Sequence, residues 1–419
     1  INGGDLIEGG GRGDIDPNPL GGSQEEILGV GDAGNAVANL KAPREFTSIS
    51  DIASAFIQST FTLTDSLRLT LGGRYTYEKK TGSRSLNFTD LQGNVLPISE
   101  TDTVAAISFA AERHSLKGSR AENHFSPLIN LQWDINNDVM SYLTLTKGVK
   151  AGGFDARSNA SPSAELTPRN PGAVVANQIS LVGTFEYDEE VATSFEIGAK
   201  TMFLDGSAEL NIAYFYTLYE DLQISIFDGT VGFNVGNAKE AVTQGIEIDG
   251  RYQITEYLHV GGALALLDFE FTDFKNGQCR QGETPTSADG LYCDYTGLSN
   301  QYAAKYSGTI LSGFMMPLTD SLGFGAQIDL VFTDDYNPSS NVDPRVEQDG
   351  FVKVNGRLGI GAIDRHWELA LVGKNLTDET TLNYVADTPL AKTIFGTTTH
   401  TGFVAPPRTI GLQFNYRWD

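Results

Sequence analysis

The chain has 419 residues, with 53 acidic against 29 basic side chains, a formal net charge of −24, and 46 glycines. That balance argues against recognition of nucleic acid through its phosphates, which needs a basic surface. No run of the ~18 apolar residues that a transmembrane helix requires occurs, but the mean hydropathy of −0.19 does not exclude membrane-crossing strands, because alternating lipid-facing and lumen-facing residues cancel in any average.

Residues 1–47 carry 11 glycines in the first 34 positions with no sustained period, and read as a long glycine-rich exposed loop. Asp14, Asp16 and Asn18 alternate as in a calcium loop, but the glycine and distal glutamate of an EF-hand are missing from their places, so an acidic turn is expected. INGGDLIEGG has neither the basic nor the apolar region of a signal peptide.

From Ser48 onward a period of two sets in. Asp51 to Leu63 reads as a strand that turns at Thr64-Asp65-Ser66 into LRLTLGGRYTYE, where Leu69, Leu71, Tyr75 and Tyr77 share one face. A polar excursion extends to about Asn123. SPLINLQWD and VMSYLTLTKGVKAGGF then flank Asn136-Asn137-Asp138, and SFEIGAKTMF and AELNIAYFYTLYEDL flank Asp205-Gly206, a strong hairpin dipeptide. Three more hairpins turn at Thr255-Glu256-Tyr257, Thr319-Asp320-Ser321 and Asp364-Arg365-His366. The last strand, PRTIGLQFNYRWD, places Ile410, Leu412, Phe414, Tyr416 and Trp418 on one side and polar residues on the other.

The connections alternate between short turns and long polar loops. That asymmetry is expected of an all-β, transmembrane antiparallel barrel with short periplasmic turns and long extracellular loops, and soluble sandwiches rarely show it.

The wording of the segments also resembles one family, the TonB-dependent outer-membrane receptors. SYLTLTKGVKAGGF (141–154), TSFEIGAKTMFLDG (193–206), AYFYTLYEDLQ (213–223), TQGIEIDGRYQI (243–254), GKNLTDET (373–380) and the terminal PPRTIGLQFNYRW carry the resemblance, in the family's order. It implies that residues 48–419 form the C-terminal part, about 13 strands, of a 22-stranded barrel in the bacterial outer membrane. Nothing in residues 1–47 resembles the family's plug domain or its TonB-contacting segment, so plug and early strands are expected outside this sequence. Family members commonly stop on an aromatic; here Asp419 follows Trp418.

The resemblance further implies energised uptake of a scarce small-molecule ligand, with a ferric siderophore first and an oligosaccharide, cobalamin or an aromatic compound as alternatives. The implied partners are the TonB-ExbB-ExbD complex, acting through the part not in this chain, together with outer-membrane lipid and lipopolysaccharide. A passive porin or structural barrel is the rival reading.

Cys279 and Cys293 are the only cysteines, and in an external loop they are expected to form a disulfide. A zinc site is the alternative, with no histidine near them in sequence. His114, His124, His259, His366 and His400 show no metal-ligand spacing, and no nucleophile elbow, HExxH pair or phosphate-cradling loop is present. No cofactor, metal site or catalytic residue is therefore expected.

The acidic groups Asp188 to Glu190, Asp334-Asp335, and Asp343 with Glu347 and Asp349 read as loop solvation, with cationic or metal-chelate capture as the functional alternative. Phe154, Tyr292, Asp334, Asp335 and Tyr336 are the candidate ligand-contacting rim. Specificity is expected in loops around residues 79–123, 153–190, 275–303, 335–349 and 386–405.

Overall fold

The structure, a computed structural model, describes residues 41–97, 111–162, 183–229, 232–288, 290, 292–389, 391 and 397–418. The opening stretch to residue 40, residues 98–110, residues 163–182 and Asp419 lie outside the described residues, so the expectations made for Asp14, Asp16 and Asn18 lie outside them too.

Seventeen strands occur among the described residues: β1 (Arg44–Thr64), β2 (Leu67–Leu86), β3 (His114–Asp134), β4 (Val139–Lys150), β5 (Gly153–Phe154), β6 (Glu186–Tyr187), β7 (Glu190–Phe203), β8 (Ala208–Phe227), β9 (Phe233–Gln253), β10 (Leu258–Asp273), β11 (Tyr306–Pro317), β12 (Leu322–Thr333), β13 (Phe351–Ala362), β14 (Trp367–Lys374), β15 (Leu382–Asp387), β16 (His400–Val404) and β17 (Thr409–Tyr416). Thirteen form one antiparallel sheet in the order β1-β2-β3-β4-β7-β8-β9-β10-β11-β12-β13-β14-β17. The pairs β5-β6 and β15-β16 are separate ribbons within the long connections. Among the described residues the large sheet does not close: there β1 pairs only with β2, and β17 only with β14.

All six short turns fall where the period of two breaks, and their chemistry is local. Side-chain oxygens of Thr64, Asn136, Thr255, Thr319 and Asp364 each accept the backbone N–H two residues on, from Ser66, Asp138, Tyr257, Ser321 and His366. In the remaining turn, Ser207 N–H donates to Leu204 O at 3.1 Å, and Leu204, Asp205 and Gly206 have φ 54°, 54° and 84°. Positive φ at the two central positions, Asp205 and Gly206, is the mirror-image turn that follows the right-handed twist of the flanking strands.

Register makes one face apolar from strand to strand. Leu71 lies opposite Ile129, Leu131 opposite both Leu69 and Leu143, Ile212 opposite Ile248, and Leu412 opposite Leu371. Leu71, Ile129, Leu131, Ile212, Leu371 and Leu412 are exposed, Leu412 to 76%, and Leu69, Leu143 and Ile248 are half-buried. Covering a large apolar side chain is worth about 1.5–3 kcal/mol, so so extended a belt is stable only against lipid or another apolar surface. The opposite face carries Glu196, Glu247, Asp249, Asp329, Arg357 and Glu368, the wet side expected of a barrel wall. No helix among the described residues is long and apolar enough to cross a membrane.

Strand length departs from the sequence reading. β1 begins at Arg44, inside the stretch expected to be loop, and the polar excursion after β2 shrinks because β2 runs to Leu86 and β3 starts at His114. β8 and β9 have 20 and 21 residues and meet across residues 228–232, where a longer loop is expected from sequence. A tilted strand needs only ~9–11 residues to cross a bilayer. The extensions lie on the long-loop side, where both faces can be polar, so the ladder continues while the apolar period that reveals it stops.

Candidate functional site at the long-loop end

The long connections fold onto the projecting strands and bury polar knots. The first is built on Arg84, 1% exposed near the end of β2. Its Nη1 and Nη2 donate to the carbonyls of Asp155 and Ala160 at 2.7 and 2.8 Å, and its guanidinium lies 5.5 Å from the Phe185 ring centre. Asp155 in turn accepts from Arg157 N–H, Val235 N–H and the Thr184 hydroxyl. The connection between β4 and β7 is thereby tied to β2 and β9.

The second knot contains both cysteines. Cys279 and Cys293 form a disulfide with Cα atoms 5.0 Å apart. They pack with Ile226, Ala238, Ala241, Phe271, Phe274 and Tyr295 into a buried cluster. Tyr295 is 1% exposed, its hydroxyl donates to Gln278 O at 2.6 Å, and Arg280 lies 4.8 Å from its ring centre. Burial pushes the Tyr295 phenol well above its ordinary range.

The third joins the 334–350 connection to the β15-β16 ribbon. Asp343, fully buried, caps the short 3-10 turn Pro344–Val346 by accepting Arg345 N–H, and binds the Arg345 guanidinium through both carboxylate oxygens. His400 Nε2 lies 3.1 Å from Asp343 Oδ2 and 3.4 Å from Asp387 Oδ1. Burial alone would raise the Asp343 carboxyl, but the hydrogen bonds from Arg345 and then His400 outweigh it and hold its pKa at about 2. Asp387 goes the other way: burial pushes it up. A fourth cluster, on the inner face, sets His124 Nδ1 3.2 Å from Glu189 and His124 Nε2 3.4 Å from Glu122.

The sequence candidates distribute unevenly over this end. Phe154 does not belong to an open rim: its ring is buried at 6%, 5.1 Å from Phe185, above Gly82 and Gly118, where a Cβ would collide with it. Two glycines opposite each other in β2 and β3 leave the groove that it fills. Tyr336 is half-buried, donates to Leu382 O at 3.1 Å and lies 5.8 Å from the Tyr302 ring. Asp335 is exposed, and Asp334 and Tyr292 are half-buried.

Asp343 is not a solvating loop carboxylate, because Arg345 and His400 enclose it. The histidines have no metal-ligand spacing in sequence, but the fold brings His124 beside Glu122 and Glu189, and His400 beside Asp343 and Asp387. His400 and Asp343 are 57 positions apart, so spacing held no signal of their meeting. The expected specificity loops also shrink: residues 79–86, 114–123 and 400–404 are strand.

A large antiparallel sheet with an apolar belt, a polar inner wall, tight turns at one end and folded loops at the other is part of a membrane-spanning β-barrel. The family model described as TonB dependent receptor-like, beta-barrel, matches residues 15–376, and the chain belongs to that family.

Over 194 residues the chain is 29% identical to the probable TonB-dependent siderophore receptor PiuA of Acinetobacter baumannii, covering 46% of this chain and 24% of that protein. Among solved structures it is similar to the ferric yersiniabactin uptake receptor FyuA of Yersinia pestis, with a TM-score of 0.63 at 14% identity, over 88% of this chain and 46% of FyuA. The siderophore receptor PiuA of Acinetobacter baumannii gives a TM-score of 0.58 at 17% identity, over 88% of this chain and 44% of PiuA. The chain therefore spans less than half the length of these relatives.

Proposed function

We propose that this chain is the wall and outer-loop assembly of an outer-membrane importer that takes up a ferric siderophore at the expense of TonB-transmitted energy. The observation that carries the reading is the likeness, over 194 residues, to a protein described as a probable TonB-dependent siderophore receptor. The physical organisation supports it: the wall needs no covalent chemistry, and tied-down loops on long strands offer a preformed binding surface at low ordering cost. Asp334, Asp335, Tyr336 and Tyr292 remain proposed ligand contacts, whereas the covered ring of Phe154 serves as a prop beneath them.

The two free sheet edges would be intolerable in lipid, so further strands complete the barrel in this reading, with a plug inside and the TonB-ExbB-ExbD complex acting through that plug. Uptake of labelled ferric chelates by iron-limited cells tests the proposal. Deletion of the gene should abolish uptake of at least one ferric siderophore, as should deletion of tonB. Undiminished uptake of a broad set of ferric siderophores in the gene deletion would sink the iron reading, and steady conductance of the purified protein in a planar bilayer would favour a passive pore.

A further inference from the structure

The knot formed by Asp343, Asp387 and His400 leaves a buried carboxylate oxygen without a hydrogen bond. Asp387 is 5% exposed, and its Oδ1 accepts no hydrogen bond; its neighbour is His400 Nε2, at 3.4 Å. Gln281, 3% exposed, adjoins the same place, since a Cβ on Gly229 would meet Gln281 Nε2 at 3.2 Å and Asp387 Oδ2 at 4.0 Å. Both side-chain amide atoms of Gln281 also have no hydrogen-bond partner. Leaving such groups unsatisfied in a buried site is costly, and a bound cation removes the cost for the carboxylate.

The geometry suits an ion. Asp343 Oδ2, Asp387 Oδ1 and His400 Nε2 all lie within 4.8 Å of one another, with separations of 3.1 and 3.4 Å from the imidazole nitrogen to the two carboxylates. A tetrahedral ion bound at ~2.0–2.1 Å holds its ligands roughly 3.3 Å apart. Arg345 already grips the Asp343 carboxylate, as an outer partner that orients a ligating group does. One imidazole with two carboxylates favours a borderline transition ion over Ca2+ or Mg2+, which prefer all-oxygen sets.

We propose that Asp343, Asp387 and His400 bind one divalent first-row transition-metal ion, for which Zn2+ is the probe, and that this ion clamps the 334–350 connection to the β15-β16 ribbon beside the disulfide loop. Binding takes the neutral imidazole through Nε2, with its remaining proton on Nδ1, and displaces the Nε2 proton that otherwise bridges to Asp343. The ion is structural and separate from any transported ligand, so the clamp stands whether or not the siderophore reading survives.

The test uses the complete protein extracted from outer membranes, stripped with a chelator and equilibrated with Zn2+, Ca2+ or Mg2+. Wild type should retain one equivalent of zinc more than His400→Ala, and no corresponding Ca2+ or Mg2+. Asp387→Asn, nearly the same shape, should weaken that equivalent at least tenfold, while His124→Ala, in the other cluster, should keep it. Zinc should slow proteolysis within residues 334–350 in wild type but not in Asp387→Asn, whose intact disulfide and unchanged cleavage elsewhere would show that it has folded. Equal zinc retention by wild type and His400→Ala, or equal protection of wild type and Asp387→Asn, would overturn the proposal.

Discussion

Gly82 and Gly118 lie directly opposite each other in β2 and β3, and the ring of Phe154 rests on both. A Cβ at either position would drive into the ring, so two small residues 36 positions apart set where the connection after β4 begins to fold. Replacing Gly118 with Val should expel Phe154 at a cost of about 1–3 kcal/mol. Hydrogen exchange should then quicken for amides near Asp155 while the protection of β7 and β8 stays unchanged.

Arg84 should be far less replaceable than its surface counterparts. Arg84→Met removes the donors to the Asp155 and Ala160 carbonyls. Groups buried and left unpaired in this way cost on the order of 3 kcal/mol. Chemical denaturation should show that loss, with Arg84→Lys intermediate, and a ligand-binding defect is expected to accompany it.

The disulfide closes a loop with a sequence separation of 14. Reduction, or replacement of both cysteines by serine, should cost about 3 kcal/mol of local stability through the released loop entropy. The loss should fall on the cluster around Phe271 and Tyr295, read as faster proteolysis between residues 274 and 305, with the transmembrane ladder unaffected.

In chelator, the Asp343–His400–Asp387 knot should show opposed acid and alkaline limbs. Asp343, held at about 2 against an ordinary 3.8, contributes stability that is present above pH ~4 and is lost as the pH falls toward its folded value. Asp387 is raised by burial, so its contribution is present below pH ~4 and is lost as the pH rises through its folded value. Protease resistance of residues 334–350 should therefore peak near pH ~4. Asp387→Asn should flatten the alkaline limb, and without metal it should be at least as resistant as wild type at neutral pH.

The unpaired edges of β1 and β17 also make a mass prediction. A barrel of 22 strands with a plug needs roughly 80 kDa, against 45.2 kDa for this chain. Intact-mass measurement of the protein from outer membranes should give the larger figure; a value of 45.2 kDa would require the missing strands to come from another chain.

The sequence by itself determined the wall. Alternation such as Leu210, Ile212, Tyr214, Tyr216 marks a strand with one apolar face, and Thr64, Asn136, Thr255, Thr319 and Asp364 close their turns with their own side chains, so both signals are local and survive in a linear reading. What only the tertiary structure decided lies above the wall. Lys79 to Leu86 and His114 to Ala121 pair by backbone hydrogen bonds with no apolar period to advertise them. In sequence Phe154 reads as a rim aromatic, and only the pairing of β2 with β3 brings Gly82 and Gly118 beneath its ring. Asp343, Asp387 and His400 belong to two separate connections, and only the docking of one loop on the other removes the water that would otherwise solvate each of them and turns three scattered polar residues into one site.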